Sequence, residues 1–215
     1  MNLMNSWEQK LEEMPLVAIL RGLPSEHAIE VSTILVEAGF KIIEVPLNSP
    51  NPFESISKIK NQFGDDVIVG AGTVLSGNAA QQVFDAGGEL IVAPNLNGEV
   101  AVVAKKLAMI YCPGILTPTE AFTALSLGAT TLKLFPADAH PPSYIKAIRA
   151  VLPPETTIMP TGGIVPDNMA QYLSAGANGL GLGSALYSPG KSMDEISSAA
   201  KAYISAIMPL IADDQ

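Results

Sequence analysis

Lys133 stands in the middle of Thr131-Leu132-Lys133-Leu134-Phe135-Pro136, a short apolar run that follows Gly128. Side chains alternate along a strand, so Thr131, Lys133 and Phe135 share one face while Leu132 and Leu134 share the other. A second run, Phe40 to Val45, carries an equally isolated carboxylate: Ile42 and Glu44 fall on one face, Ile43 and Val45 on the other. An amine is a nucleophile only when neutral. Moving a lysine from its ordinary value of about 10.4 to near 7.5 takes about 4 kcal/mol, at roughly 1.36 kcal/mol per unit. Desolvation between Leu132, Leu134, Phe135 and Pro136 acts in that direction, and an ionised Glu44 acts against it. A neutral amine beside a proton-shuttling carboxylate suits condensation with a ketone, followed by carbon–carbon cleavage or formation. Simple proton-transfer isomerisation needs no nucleophile.

The elements that must bring these two residues together follow from periodicity and punctuation. Strands are expected at Leu16–Leu20, Phe40–Val45, Val67–Gly70, Leu90–Ala93, Met109–Cys112, the lysine run, Thr157–Pro160 and Gly179–Leu182. Helices between them are expected over Pro24–Ala38, from the Pro46–Pro50 turn to about Phe63, and over Asn78–Ala86, Gly98–Leu107, Pro118–Leu127, Ser143–Val151 and Asp167–Ser174. Eight strands alternating with about as many helices make an α/β fold of the (β/α)8 TIM-barrel type, one domain over 1–215. Ala38-Gly39, Ala86-Gly87, Leu127-Gly128 and Ala175-Gly176 recur at intervals of 41 to 48 residues, close to two βα units. A doubly wound sheet is the alternative, but it would not require so regular a count. A short N-terminal helix (1–15) is expected from the capping-box pattern Ser6-Trp7-Glu8-Gln9, with Trp7, Leu11 and Met14 at helical spacing. The barrel occupies 16–190. Ser192-Met193-Asp194-Glu195 opens a C-terminal helix (191–215) with Ile196, Ala199, Tyr203 and Ile207 on one face.

Barrel active sites lie at the C-terminal ends of the strands. Those ends read Arg21, Glu44, Thr73, Asn95, Gly114, Lys133 to Pro136, Thr161-Gly162-Gly163 and Gly183-Ser184. Alternate strands supply the interior layers of a barrel, so strands two and six can place Glu44 and Lys133 in one layer, facing inward. A purely structural buried ion pair would contribute little to stability. The glycines of Thr161-Gly162-Gly163 and Gly181-Leu182-Gly183-Ser184 end strands seven and eight, where barrels commonly hold phosphate on backbone N–H groups. They do not form a dinucleotide fingerprint.

Composition excludes several classes. A formal charge of −9 without a basic stripe argues against nucleic acid. The one cysteine, Cys112, rules out an internal disulfide framework and fits a reducing compartment. No signal peptide or apolar membrane span is legible, which predicts a soluble, cytoplasmic protein. Neither His27 nor His140 has ligand spacing around it, so no metal and no cofactor is expected. Apolar residues make up 48% of the chain and the mean hydropathy is +0.30. That composition suits parallel strands covered on both faces.

These residues bring a resemblance into view. Ile19-Leu20-Arg21-Gly22, Glu44-Val45-Pro46-Leu47-Asn48-Ser49-Pro50, Gly70-Ala71-Gly72-Thr73-Val74-Leu75, Pro113-Gly114, Lys133-Leu134-Phe135-Pro136 and Pro160-Thr161-Gly162-Gly163 occur in this order. Together they resemble the 2-keto-3-deoxy-6-phosphogluconate and -galactonate aldolases over nearly the whole chain. The resemblance implies a class I aldolase, commonly a homotrimer, in which Lys133 forms the Schiff base and Glu44 relays protons. It implies that Thr73 holds the pyruvate carboxylate, while Arg21, Gly162, Gly163 and Ser184 meet the remaining polar groups and the phosphate. Asn48, Pro94, Phe135, Thr161 and Gly183 complete the expected substrate contacts. Products would be pyruvate and glyceraldehyde 3-phosphate. Asn48 is similar to the galactonate type, which is favoured, whereas Thr161 is similar to the gluconate type. Another phosphate-binding barrel isomerase or epimerase, or a non-catalytic sugar-phosphate binding protein, is the alternative.

Overall fold

A computed structural model of the chain describes residues 2–212, so positions 213–215 of the expected C-terminal helix lie outside the described residues. In chain order the elements are α1 (Leu3–Glu13), β1 (Leu16–Ile19), α2 (Ala28–Ala38), β2 (Ile42–Pro46), α3 (Pro52–Phe63), β3 (Ile68–Gly72), α4 (Gly77–Asp85), β4 (Leu90–Val92) and α5 (Gly98–Lys106). There follow β5 (Ile110–Cys112), β6 (Gly114–Ile115), α6 (Pro118–Ser126), β7 (Thr131–Leu134), α7 (Pro142–Arg149), β8 (Thr157–Pro160), α8 (Met169–Ser174), β9 (Leu180–Leu182) and α9 (Met193–Ala212). Short 3-10 turns at Ser25–His27 and Pro166–Asn168 lead into α2 and α8, where unbroken helices were expected.

The helices begin where side chains can accept otherwise orphaned backbone N–H groups. Asn2 accepts from the Asn5 amide at 2.8 Å, so α1 starts four residues ahead of the expected Ser6 cap, which lies inside the helix. The Ser192 box is formed: the Glu195 carboxylate accepts from the Ser192 amide at 2.8 Å. Thr117 and Glu120 make a further box at the start of α6. At the other end of α2, Gly39 takes φ +120°, which an L side chain rarely adopts.

Every strand pairing is parallel. One sheet runs β5-β4-β3-β2-β1-β9 and the other β6-β7-β8. Pro113, which has no amide hydrogen to give to a ladder, separates β5, the expected fifth strand, from β6, a further two-residue piece that pairs in the other sheet. Alternation divides each strand between two apolar clusters. Ala18, Ile43, Val45, Val69, Ala71, Ile91, Leu132, Leu134 and Ile158 pack on the helices. Val17, Ile42, Ile68, Leu90, Val92, Ile110, Cys112 and Met159 pack on one another, joined by Trp7 and Leu11 of α1. Burial of one such aliphatic side chain contributes roughly 1.5–3 kcal/mol. Among the described residues no helix is long and apolar enough to cross a membrane.

Candidate active site

β2 and β7 each carry one charged residue, and both are buried: Glu44 is 1% exposed and Lys133 5%. The alternation of those strands explains how. Their even neighbours Leu132 and Leu134 face the helices, so Lys133 is turned with Thr131 to the opposite side. This corrects one expectation, since Leu132 and Leu134 cannot be the residues that dry the amine. Its surroundings include the Phe135 ring, whose centroid lies 4.9 Å from Nζ, and the charges of Glu44 and Arg21.

Burial pushes the Lys133 amine below its ordinary value; the Glu44 carboxylate opposes that push and the Arg21 cation adds to it. Burial likewise pushes the Glu44 carboxyl up, and the Lys133 and Arg21 cations pull it part of the way back. Both displacements run towards the uncharged forms, the amine and the carboxylic acid. Among the described residues the two make no direct ion pair, and Glu44 Oε2 is buried without a hydrogen-bond partner. A buried acceptor left open in this way costs stability and is available to a bound molecule or to water.

Arg21 follows β1, its guanidinium exposed, and Nη1 donates to Asn48 Oδ1 at 2.9 Å and to Thr73 Oγ1 at 3.5 Å. Three of the expected site residues, from three strand ends, are thus tied together. Thr73 takes φ +56°, an uncommon conformation for a β-branched residue. The neighbouring turn is fixed by Ser49, whose Oγ accepts from the Gly22 amide at 2.8 Å. Pro94 follows β4, and its carbonyl lies against Gly114, where a Cβ would come within 2.2 Å of the oxygen.

Across the site, Thr161 bridges to Gly181, and its Oγ1 is buried and unpartnered. Gly162 and Gly163 take φ +107° and +68°, and a Cβ on Gly163 would meet the Asp138 Cβ at 2.7 Å. Gly183 faces open space, and Ser184 beyond it is exposed. Glu44 and Lys133 lie inside β2 and β7, and the other sequence-predicted site residues stand just beyond C-terminal strand ends or in the loops that follow them.

Cys112 is fully buried in the apolar layer, where burial pushes its thiol far up and keeps it uncharged. Gly72, Ser49 and Asp138 were not foreseen as site residues. The pair Gly70-x-Gly72, bare on one face of a strand beside the carboxylate strand, was the signal available for the first. Among the described residues no three His, Cys, Asp or Glu side chains converge as a metal site would need. A cavity of about 640 Å³ lies elsewhere, between α1, α8 and α9 at the N-terminal ends of β1, β8 and β9.

Residues 7–200 match the sequence profile described as "Aldolase: KDPG and KHG aldolase". The chain is 44% identical over 200 residues to the 2-dehydro-3-deoxy-6-phosphogalactonate aldolase of Escherichia coli (strain K12), covering 93% of this chain and 96% of that protein. It is 45% identical to the probable 2-dehydro-3-deoxy-6-phosphogalactonate aldolase of Rhizobium meliloti (strain 1021), covering 90% of this chain and 92% of that one. The solved "Native KDPGal structure" superposes with a TM-score of 0.91 at 42% identity, over 93% of this chain and 97% of that chain.

Proposed function

From the premise that this chain belongs to the KDPG and KHG aldolase family, we propose that it is a class I aldolase whose Lys133 forms the Schiff base. Its substrate is a 2-keto-3-deoxy-6-phosphosugar acid, with the 6-phosphogalactonate type favoured. The observation that carries this reading is the buried pair itself: an amine and a carboxyl, each driven towards neutrality, with one carboxyl oxygen unpartnered.

In the first step the neutral Nζ adds to the C2 carbonyl, an amine proton passing to the new alkoxide; the Glu44 carboxylic acid then protonates the departing hydroxyl, and loss of water leaves an iminium ion beside a Glu44 carboxylate. Glu44, directly or through a water, takes the proton of the C4 hydroxyl while the C3–C4 bond breaks. The bonding pair moves into the iminium, giving an enamine, and glyceraldehyde 3-phosphate departs. The same carboxylic acid returns a proton to C3, and hydrolysis releases pyruvate and the free amine. Thr73, with Arg21 and Asn48, holds the keto-acid carboxylate. Thr161 faces the C4 hydroxyl, Phe135 and Pro94 wall the site, and Gly162, Gly163, Gly183 and Ser184 hold the phosphate.

The scaffold for this chemistry is one domain, a closed (β/α)8 barrel. Closure is supported by contacts that cross between the two sheets. The Thr130 and Lys133 amides donate to the Tyr111 and Pro113 carbonyls at 2.9 Å each, and the Asn178 amide donates to the Ile158 carbonyl at 2.9 Å. Thr161 bridges Gly181 at the same seam. The enzyme acts as a cytoplasmic homotrimer without cofactor or metal.

Borohydride added in the presence of pyruvate tests the reading. It should leave a reduced pyruvyl adduct on Lys133 and abolish cleavage of the phosphorylated substrate, and EDTA should change nothing. An intact, unlabelled Lys133 after that treatment would point instead to an isomerase or a binding protein.

A further inference from the structure

Lys191 is a cation with no part in the chemistry above, yet it contacts the turn that begins at Gly183-Ser184. It lies between β9 and α9, and its Nζ donates to three successive carbonyls, Ser184 at 3.3 Å, Ala185 at 2.5 Å and Leu186 at 3.3 Å. An ammonium carries three protons, so the whole donor capacity of the group is spent on one turn of backbone. That turn starts at Gly183, whose carbonyl accepts from the amides of Leu186 at 3.0 Å and Tyr187 at 3.1 Å. Lysine is thus placed as a cap on the carbonyl end of a tight turn, where a cation is favourable.

We infer that Lys191 is a positioning residue for the phosphate-binding loop, acting through the peptide planes of Gly183–Leu186 rather than by touching the substrate. The inference rests on the aldolase reading and deepens it. A trans peptide is planar, so a carbonyl and the following N–H point in opposite directions. Holding the Ser184 carbonyl towards Lys191 turns the Ala185 N–H away from it. Among the described residues, the amides of Ser184 and Ala185 have no backbone acceptor. A Cβ on Gly183 would have nothing within 4 Å of it, so the start of the turn is open. The loop is held independently at Pro189, which packs so closely on Gly22 that a Cβ there would meet Pro189 Cγ at 2.7 Å. Loss of the lysine therefore frees the turn without freeing the whole loop.

The test compares the parent with Lys191→Met and Lys191→Arg on two substrates, the 6-phosphorylated keto-deoxy acid and the same acid without phosphate. Inorganic phosphate serves as a competitive inhibitor. Lys191→Met should raise KM for the phosphorylated acid and weaken inhibition by phosphate, each by roughly 10-fold, the loss of about one charge-assisted hydrogen bond. Its kcat, its kcat/KM on the unphosphorylated acid and its borohydride trapping by pyruvate should stay within about twofold of the parent. Lys191→Arg should not restore KM, because a planar fork cannot cap three carbonyls as a tripod does. Rescue by arginine would show that charge alone acts, and equal losses on both substrates would show a general structural role; either result overturns the inference, as does an unchanged KM. Failure of the parent to be trapped by pyruvate would instead sink the aldolase reading, which separates the two failures.

Discussion

Gly72 lies directly beneath the Glu44 carboxylate: a Cβ on that glycine would stand 2.5 Å from Oε1 and 3.1 Å from Oε2. The register partner of Glu44 on β3 is Gly70, so the carboxylate reaches across the next inward position of the neighbouring strand. A bare backbone there is what leaves room for an acid of this length inside the apolar layer. The obstruction to a methyl group is a side-chain end and not backbone, so the fold can accept it by moving Glu44.

Gly72→Ala should therefore fold and lose turnover. Displacing a general acid–base group costs on the order of 100-fold in rate, and that is the expected fall in kcat. Pyruvate trapping at Lys133, which needs the amine, should survive. Steady-state kinetics beside borohydride trapping checks both, and normal turnover would show that Glu44 works from another position.

The opposed displacements of Lys133 and Glu44 also set a pH dependence. Burial puts the Lys133 amine below its ordinary value, and the Glu44 carboxylate holds it up. Trapping by pyruvate, followed against pH, should reach half its maximum well below the ordinary lysine value of about 10.4. Glu44→Gln removes the supporting negative charge, so its midpoint should move lower still. Its turnover should fall far more than its affinity for pyruvate. A midpoint that rises in Glu44→Gln would contradict the assigned coupling.

Both groups lower stability near neutral pH. The folded Lys133 value is depressed, so the unfolded chain binds the proton more tightly; stability is lowest below the folded value and recovers as pH climbs towards the unfolded one. The folded Glu44 value is raised, so stability falls as pH rises from the unfolded value of about 4.3 through the folded one, and stays low above it. Replacing such a buried pair with apolar side chains often stabilises by about 1–4 kcal/mol. Glu44→Met/Lys133→Met should thus melt higher than the parent, by roughly 2–4 °C for each kcal/mol in a chain of this size. The single variants, which strand one charge, should gain less or lose. Calorimetry near pH 7 decides it, and a double variant that melts lower than both singles would refute the argument.

Much of this site was legible because period-two alternation needs only residue types. It assigned Ile42 with Glu44 and Thr131 with Lys133 to one face, and the structure keeps both assignments. The strand-end positions of Arg21, Thr73 and Gly162 came from the same count. What sequence did not reveal depends on distances between strands far apart in the chain. The fit of Gly72 under Glu44 is of that kind, and so is the hydrogen bond from Arg21 to Asn48. Pro113 shows a different limit: the expected strand stopped before it at Cys112, and the two-residue β6 beyond the proline, paired in the other sheet, was too short to give a periodic signal. The Ser6 box failed because Asn2 offered an earlier cap and the helix, once started, runs through a serine at little cost.

The unpartnered Thr161 hydroxyl gives the last prediction. Its Oγ1 is buried, lacks a partner in the free protein, and lies where a Cβ on Gly181 would be only 2.3 Å away. A buried hydroxyl without a bond costs about 1–3 kcal/mol, so Thr161→Val should not destabilise the free protein. Selectivity is where it should act. The two 6-phosphorylated substrates differ in configuration at C4, and a site that hydrogen-bonds one hydroxyl loses the advantage when its partner is removed. Thr161→Val should lower kcat/KM for the gluconate-type epimer by roughly 10-fold, the cost of one hydrogen bond, and leave the galactonate-type epimer nearly unchanged. Parallel assays of both epimers on parent and variant supply the ratio. If that ratio stays within twofold while the variant folds normally, Thr161 does not read C4, and the discrimination must come from elsewhere in the site.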